Sequence, residues 1–401
     1  MRRLICMMVL YYLIQSYGCY PGLFNLPLRI YLKDNLGLSP AQLASFTSFI
    51  FLPWLVRPFF GIIQDAIPLF GYQFKSYFFI CYGLALILLL GLCGFQVNTI
   101  NMLAGGLILV NICIAFSDVL TDKIMVVQGT MLGKTALLQA VQWTSLSFGV
   151  ALLYYISGWL ATNSNLSIAF GATAIVPLIG LIGTFILLGD EKKQHTTVSM
   201  KSSLKSLLLT LKSQRFLAIL GFIACLEFTL IPPLVDYVVY YYKDTLKFDA
   251  QFIGLLGTFE AIANGLGAIV FGIFAARMSR KLLLNLAIGL TAVSTLGLLF
   301  IQNEQSAILA SIFFGFFYMI SMLGVLELAA RACPVGVEAT TYALLMSVYN
   351  LAKQPGPILG GYLYNRGIPV SILVIVSAVF TMLCWFLIPL LKLKQSSDTP
   401  S

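Results

Sequence analysis

The residues of this sequence able to do chemistry are ionisable side chains standing inside long apolar runs. Glu227, Glu260 and Lys353 fall near the middle of such runs, Asp236 and Arg29 nearer one end, and Asn350 stands just before Lys353. A charge at mid-bilayer costs about 2.5–3.5 kcal/mol on insertion scales, so these side chains are expected to face protein or a water-filled cavity. There they can bind a polar solute and exchange protons. Three carboxylates (Glu227, Asp236, Glu260) against the one ammonium of Lys353 disfavour an anion unless protons bind with it, and fit a cationic solute equally. A second group stands at the opposite ends of the runs. Arg57, Gly61 and Asp65 share one segment, while Asp118-x-x-x-Asp122 and Glu327-x-x-x-Arg331 each place two charges on one helix face. Such pairs can lock a gate. For all of these charges a structural ion-pair network between helices is the alternative reading. Asp118 and Asp122 could also chelate Mg²⁺ with a diphosphate, as in an intramembrane prenyltransferase. That enzyme wants a second Asp-rich motif on the same face, where Glu327 and Arg331 stand instead. With one histidine, His195, in a polar stretch and eight cysteines lacking C-x-x-C spacing, no metal site, catalytic triad or cofactor is expected.

The elements that must position these groups follow from composition. Of 401 residues, 59% are hydrophobic and 10% charged, with mean hydropathy +0.93. Soluble domains carry about 25% charged residues, so a soluble enzyme, a disordered chain and a secreted disulfide scaffold are excluded. A membrane barrel would alternate over segments of about ten residues; these runs are longer. The fold class is all-α, a polytopic membrane protein. Runs able to span a bilayer cover approximately 4–31, 41–63, 76–94, 100–121, 134–160, 166–188, 216–242, 250–275, 282–301, 306–330, 338–364 and 369–391, giving 12 expected transmembrane helices. The polar stretch 189–215 divides them into six plus six: a bundle over 1–188, a cytoplasmic linker that is amphipathic or disordered, and a bundle over 216–401. Most Lys and Arg residues, Lys123 among them, fall on the side that holds both termini and the linker, which makes that side cytoplasmic. The net charge of +9 is therefore topological rather than a nucleic-acid signal. Met-Arg-Arg leads straight into an apolar run without a small-residue cleavage site, as in an uncleaved first span.

The two halves echo each other. GIIQD (61–65) after span 2 and GIFAARMSRK (272–281) after span 8 resemble the GxxxD(R/K)xGR(R/K) loop of the major facilitator superfamily, with Ala276 in place of the acid in the second copy. Asp118/Asp122 and Glu327/Arg331 occupy matched positions in spans 4 and 10. Spans 3, 6, 9 and 12 carry no charge, as expected of the outermost helices in a 6+6 facilitator. Pro232-Pro233 is expected to break span 7, and Pro355-Gly356-Pro357 to kink span 11.

LKDNLGLSPAQL (32–43), LPWLVRPFFGIIQDAIPLFGY (52–72), SDVLTDKIMV (117–126) and ELAARACPVGVEATTYALLMSVYN (327–350) resemble the folate–biopterin transporter family, a branch of the major facilitator superfamily. The resemblance implies an alternating-access secondary transporter importing folate or pterin-like solutes, with protons as the expected co-substrate. Another solute such as S-adenosylmethionine is the alternative. Lys353, Glu227, Glu260, Asp236, Arg29 and Asn350 are the expected binding residues, and Arg57, Gly61, Asp65, Asp118, Asp122, Glu327 and Arg331 the expected gate. Folate, with two carboxylates and a flat ring, needs cations and aromatic surfaces, which Lys353, Arg29 and the Tyr237–Tyr242 cluster could supply, although that cluster also fits an interfacial belt. A monomer in a plasma or bacterial inner membrane is expected, with the bilayer and the solute as partners and no nucleic acid.

Overall fold

The protein is described by a computed structural model from Met1 to Leu391, apart from residues 19–21, 39–45, 47–48, 68, 73, 95–98, 190–204, 206–207, 210, 230–237, 239–240, 249, 335–336 and 354. The described residues are almost wholly helical and contain no strand beyond an isolated Leu69–Tyr72 bridge. In chain order the α-helices are α1 Arg2–Gly18, α2 Asn25–Ile30, α3 Arg57–Ala66, α4 Lys75–Gly94, α5 Ile100–Leu132, α6 Thr135–Asn163 and α7 Leu166–Leu187. There follow α8 Gln214–Thr229, α9 Ala250–Phe274, α10 Arg280–Gly297, α11 Glu304–Arg331, α12 Glu338–Ala352, α13 Pro355–Asn365 and α14 Val370–Leu383.

Among the described residues eight helices are long and apolar enough to cross a membrane. They coincide with expected spans 3–6, 8–10 and 12. Of the other four expected spans, 1, 2 and 11 are broken into shorter pieces and span 7 is described only in part, and twelve crossings remain consistent with the whole. Proline accounts for two of the breaks. Pro53 lies in a 3₁₀ turn, Leu52–Trp54, and Pro58 opens α3, so span 2 is not one helix. Pro355 cannot donate to the carbonyl a turn earlier, so span 11 divides into α12 and α13 at Lys353. Span 1 is interrupted between α1 and α2. The expected break at Pro232-Pro233, and most of the linker, lie outside the described residues.

Matched turns close the first span of each half. Tyr31–Asn35 and Tyr241–Thr245 are both π turns in the repeated sequence Y-x-K-D-x-L. In the first, the Leu36 and Leu38 amides donate to the Tyr31 and Leu32 carbonyls at 3.2 and 3.0 Å. In the second, Leu246 and Phe248 donate to Tyr241 and Tyr242 at 3.1 and 3.0 Å. Both turns then need a left-handed residue, supplied by Gly37 (φ 64) and, against its preference, by Lys247 (φ 59).

The chain divides into two compact units that exchange segments. The first comprises Met1–Val127, Ser145–Leu207 and Pro334–Ser347; the second comprises Gln128–Thr144, Leu208–Cys333 and Val348–Ser401. Small residues drive both exchanges, as expected where lipid leaves helix association to close packing. In the first unit a methyl group added at Gly61 would lie 2.5 Å from Thr340 Cα, so α3 and the first turn of α12 meet backbone to backbone. In the second, one at Gly272 would lie 2.7 Å from Ala140 Cβ. The echoed glycines of spans 2 and 8 thus do the same work in each unit. The first unit is further packed by Tyr11 stacked on Phe78 at 4.3 Å. In the second, α9 and α11 cross through Gly267 against the Phe316 carbonyl and Gly315 against that of Glu260.

Candidate functional site

In the second unit, Lys353 follows the last residue of α12, where unpaired carbonyls and the helix dipole favour a cation. Its ammonium donates to Tyr318 Oη at 2.8 Å and to Tyr349 Oη, and lies 4.0 Å from the centre of the Tyr349 ring. The two phenols lie 3.1 Å apart, and Tyr349 Oη also contacts Met322 Sδ at 2.9 Å. Tyr318 is backed by Phe314, stacked 9° from parallel. Glu227, from α8, is 1% exposed, and its Oε2 stands 3.7 Å from Lys353 Nζ. That is an ion pair without a hydrogen bond. Glu260, on α9, interacts electrostatically with Lys353 and with the buried Tyr242. One buried carboxylate thus pairs with the ammonium and a second lies within its field, with aromatic rings behind the cation. Such a site can hold a charged, flat solute.

In the first unit, Arg57 opens α3 and is 3% exposed. One of its terminal nitrogens binds both Asp118 Oδ2 and Asp122 Oδ2, the latter at 2.6 Å. Tyr12 donates to Asp122 Oδ1 at 2.7 Å, and the Trp54 ring lies 5.6 Å from the guanidinium. Both aspartates are engaged within the protein, so the chelating role considered for them has no open face to act from. Two turns of α3 further on, Asp65 joins two elements. Its Oδ2 accepts from the Thr340 amide at 2.9 Å and from Thr340 Oγ1 at 2.7 Å, and its Oδ1 pairs with Lys123 Nζ at 2.9 Å. Thr340 lies in the first turn of α12, so Asp65 caps that helix in trans. Lys123 also donates to the Gln64 carbonyl at 3.0 Å.

The remaining expected residues are dispersed. Glu327 pairs with Arg331 along α11, the glutamate buried and the arginine side chain 40% exposed. Asn350 is half-buried on α12, and Arg29 is exposed in the last turn of α2, in the first unit. Asp236 lies outside the described residues, as do Tyr237 and Tyr240. Tyr242 is a core residue, packed 5.8 Å from Phe248, rather than part of an interfacial belt. Lys123 is corrected from a loop cation to a buried one, 3% exposed within α5, because Asp65 neutralises it there. Sequence reasoning also passed over Tyr12, Tyr318, Tyr349 and Thr340.

A profile of the BT1 family matches residues 18–394. The chain is 27% identical over 350 residues to a protein of Synechocystis sp. named Folate-biopterin transporter, covering 82% of this chain and 69% of that one. It is 26% identical over 353 residues to Folate transporter 1 of Plasmodium falciparum, covering 82% and 67%. The solved structure of the major facilitator proton:xylose symporter XylE aligns with a TM-score of 0.70 over 96% of this chain and 94% of that one, at 14% identity, a likeness of fold alone. With a family profile spanning both units, the chain belongs to the BT1 family, built on the major facilitator fold, and is a membrane transporter and not an enzyme.

Proposed function

We propose that the chain is an alternating-access importer of folate or pterin-like solutes, linked to protons. The observation that carries this reading is the Lys353 ammonium set between two phenols and a buried carboxylate at a helix break. A cation beside aromatic rings suits a solute that joins a carboxylate to a flat heterocycle, and the relatives' names point to that chemistry. Glu227, Glu260 and Asn350 complete the binding region, and Arg29 and Asp236 are further candidate binding residues. Bundles 1–188 and 216–401 are the moving parts, joined by 189–215, with both termini cytoplasmic and the chain working as a monomer. The Asp65–Thr340 contact, set by Gly61 and supported by Arg57, Asp118 and Asp122, is the inner gate, and the Glu327–Arg331 pair is a gating element of the second unit. The Asp65–Thr340 contact must break when the binding region opens to the cytoplasm. The excess of carboxylates around Lys353 favours a second reading, a cationic solute such as S-adenosylmethionine. A thermal-shift panel on purified protein with folate, 5-formyltetrahydrofolate, biopterin and S-adenosylmethionine separates the two. Stabilisation by the pterins supports the first reading, and stabilisation by S-adenosylmethionine alone replaces it. Lys353→Gln is expected to weaken folate binding far more than biopterin binding, since biopterin lacks the glutamate tail; equal losses would make Lys353 a structural ion pair.

A further inference from the structure

Resting on the reading of Lys353 as the solute's cation, we propose that Glu227 is an internal stand-in for the solute carboxylate. An anionic solute displaces it from Lys353, and Glu227 takes up one proton in exchange.

The geometry separates what holds the ammonium from what neutralises it. The phenols of Tyr318 and Tyr349 hold it by hydrogen bonds. Glu227 contributes charge only, since its nearer oxygen is 3.7 Å away and takes no hydrogen bond among the described residues. Replacing Glu227 by another carboxylate therefore leaves Lys353 in place and charged. Glu227 itself, 1% exposed, then loses its counter-ion. An unpaired buried carboxylate costs several kcal/mol, and among the described residues no further cation pairs with it. Glu260 is a second acid, and Tyr318 and Tyr349 are neutral phenols already engaged with Lys353. The charges balance when the Glu227 carboxylate binds a proton from the entry side and becomes a neutral carboxylic acid. The solute carboxylate then completes the pair with the ammonium, and no bond other than that O–H forms. A neutral pterin leaves Glu227 where it is and takes up no proton, so the solute's charge sets the coupling.

The test is isothermal titration calorimetry of the purified full chain at mildly alkaline pH, in buffers of different ionisation heat, with 5-formyltetrahydrofolate and biopterin as probes. The expected result is uptake of about one proton per folate bound and close to none per biopterin, with folate affinity falling about tenfold per pH unit and biopterin affinity flat. In Glu227→Gln the folate-linked proton and its pH slope should vanish. Folate binding without proton uptake, equal uptake with both probes, or uptake that survives Glu227→Gln overturns the exchange. Should that variant not fold, the contrast between the two probes in the wild type decides by itself. Failure of both probes to bind overturns the folate reading of the site instead.

Discussion

Replacing Gly61 by alanine tests the crossing of α3 with α12. The added methyl would lie 2.5 Å from Thr340 Cα, 2.6 Å from its nitrogen and 2.7 Å from the Ala339 carbonyl carbon. Carbon atoms rest at about 3.5–4.0 Å, so the first turn of α12 must retreat by roughly 1 Å. The bonds from Thr340 to Asp65, now 2.9 and 2.7 Å, then pass out of range. Each is a hydrogen bond to a charged acceptor, contributing about 1.5–3 kcal/mol. Losing both costs about 3–6 kcal/mol, offset by about 1 kcal/mol from alanine's better helix propensity. The closed crossing should weaken by roughly 2–5 kcal/mol, a shift of at least about thirtyfold in its population. Gly83→Ala is the control, since a methyl there meets nothing within 4 Å and should gain about 0.5–1 kcal/mol. The readouts are the melting temperature and the maleimide labelling rate of Cys333, half-buried at the end of α11 beside the exchanged segment. Gly61→Ala should melt lower and label faster. Wild-type behaviour in both assays, or an equal loss in Gly83→Ala, would refute the backbone-contact argument.

Asp65→Asn keeps the side-chain volume but strips the charge opposite the buried Lys123, so it should slow transport at near-normal expression; normal uptake would remove Asp65 from the gate. Uptake of folate should rise at acidic external pH and collapse with a protonophore, while a flat, protonophore-insensitive profile would make the protein a facilitator or exchanger. Lys247→Gly should raise the melting temperature, relieving about 1 kcal/mol of left-handed strain, and Gly37→Ala should lower it by a comparable free energy; a fall in the first or a rise in the second, read by differential scanning fluorimetry, would refute the shared turn geometry.

Much of this architecture is legible in the residues. The runs without charge become spans built on α4, α7, α10 and α14, whose buried threonines bond carbonyls of their own helix, as Thr173, Thr184, Thr295 and Thr381 do. Gly61 and Asp65 are visible as a motif, and Pro355 announces the break that places Lys353 at a helix end. The partners are what the sequence conceals. Thr340 is neutral and 275 residues from Asp65, and it contributes a backbone amide that every residue but proline carries. Tyr12, Tyr318 and Tyr349 are three of 19 tyrosines with nothing local to mark them. Ending span 4 before Lys123 follows from treating charge as solvent-seeking, whereas α5 runs on to Leu132 because Arg57 and Asp65 neutralise its charges inside the protein. The Y-x-K-D-x-L repeat is legible in full; a search centred on the inner loops passes it by.

The trans cap on α12 also imposes an order on synthesis. Asp65 and Lys123 leave the ribosome long before Thr340, and at about 5–20 residues per second the 275 residues between Asp65 and Thr340 take roughly 14–55 s. Throughout that interval Asp65 has Lys123 as its available partner, and the place beside Gly61 that Thr340 fills in the finished fold waits for it. Residues 334–347 must reach that place after the spans preceding them have been threaded. The last native contact of the first unit is therefore made by the second half of the chain, and truncation before residue 334 leaves a bundle that inserts but cannot finish folding. Supplying residues 216–401 as a separate polypeptide should rescue it, so the nascent chain assembles as two fragments that happen to be joined.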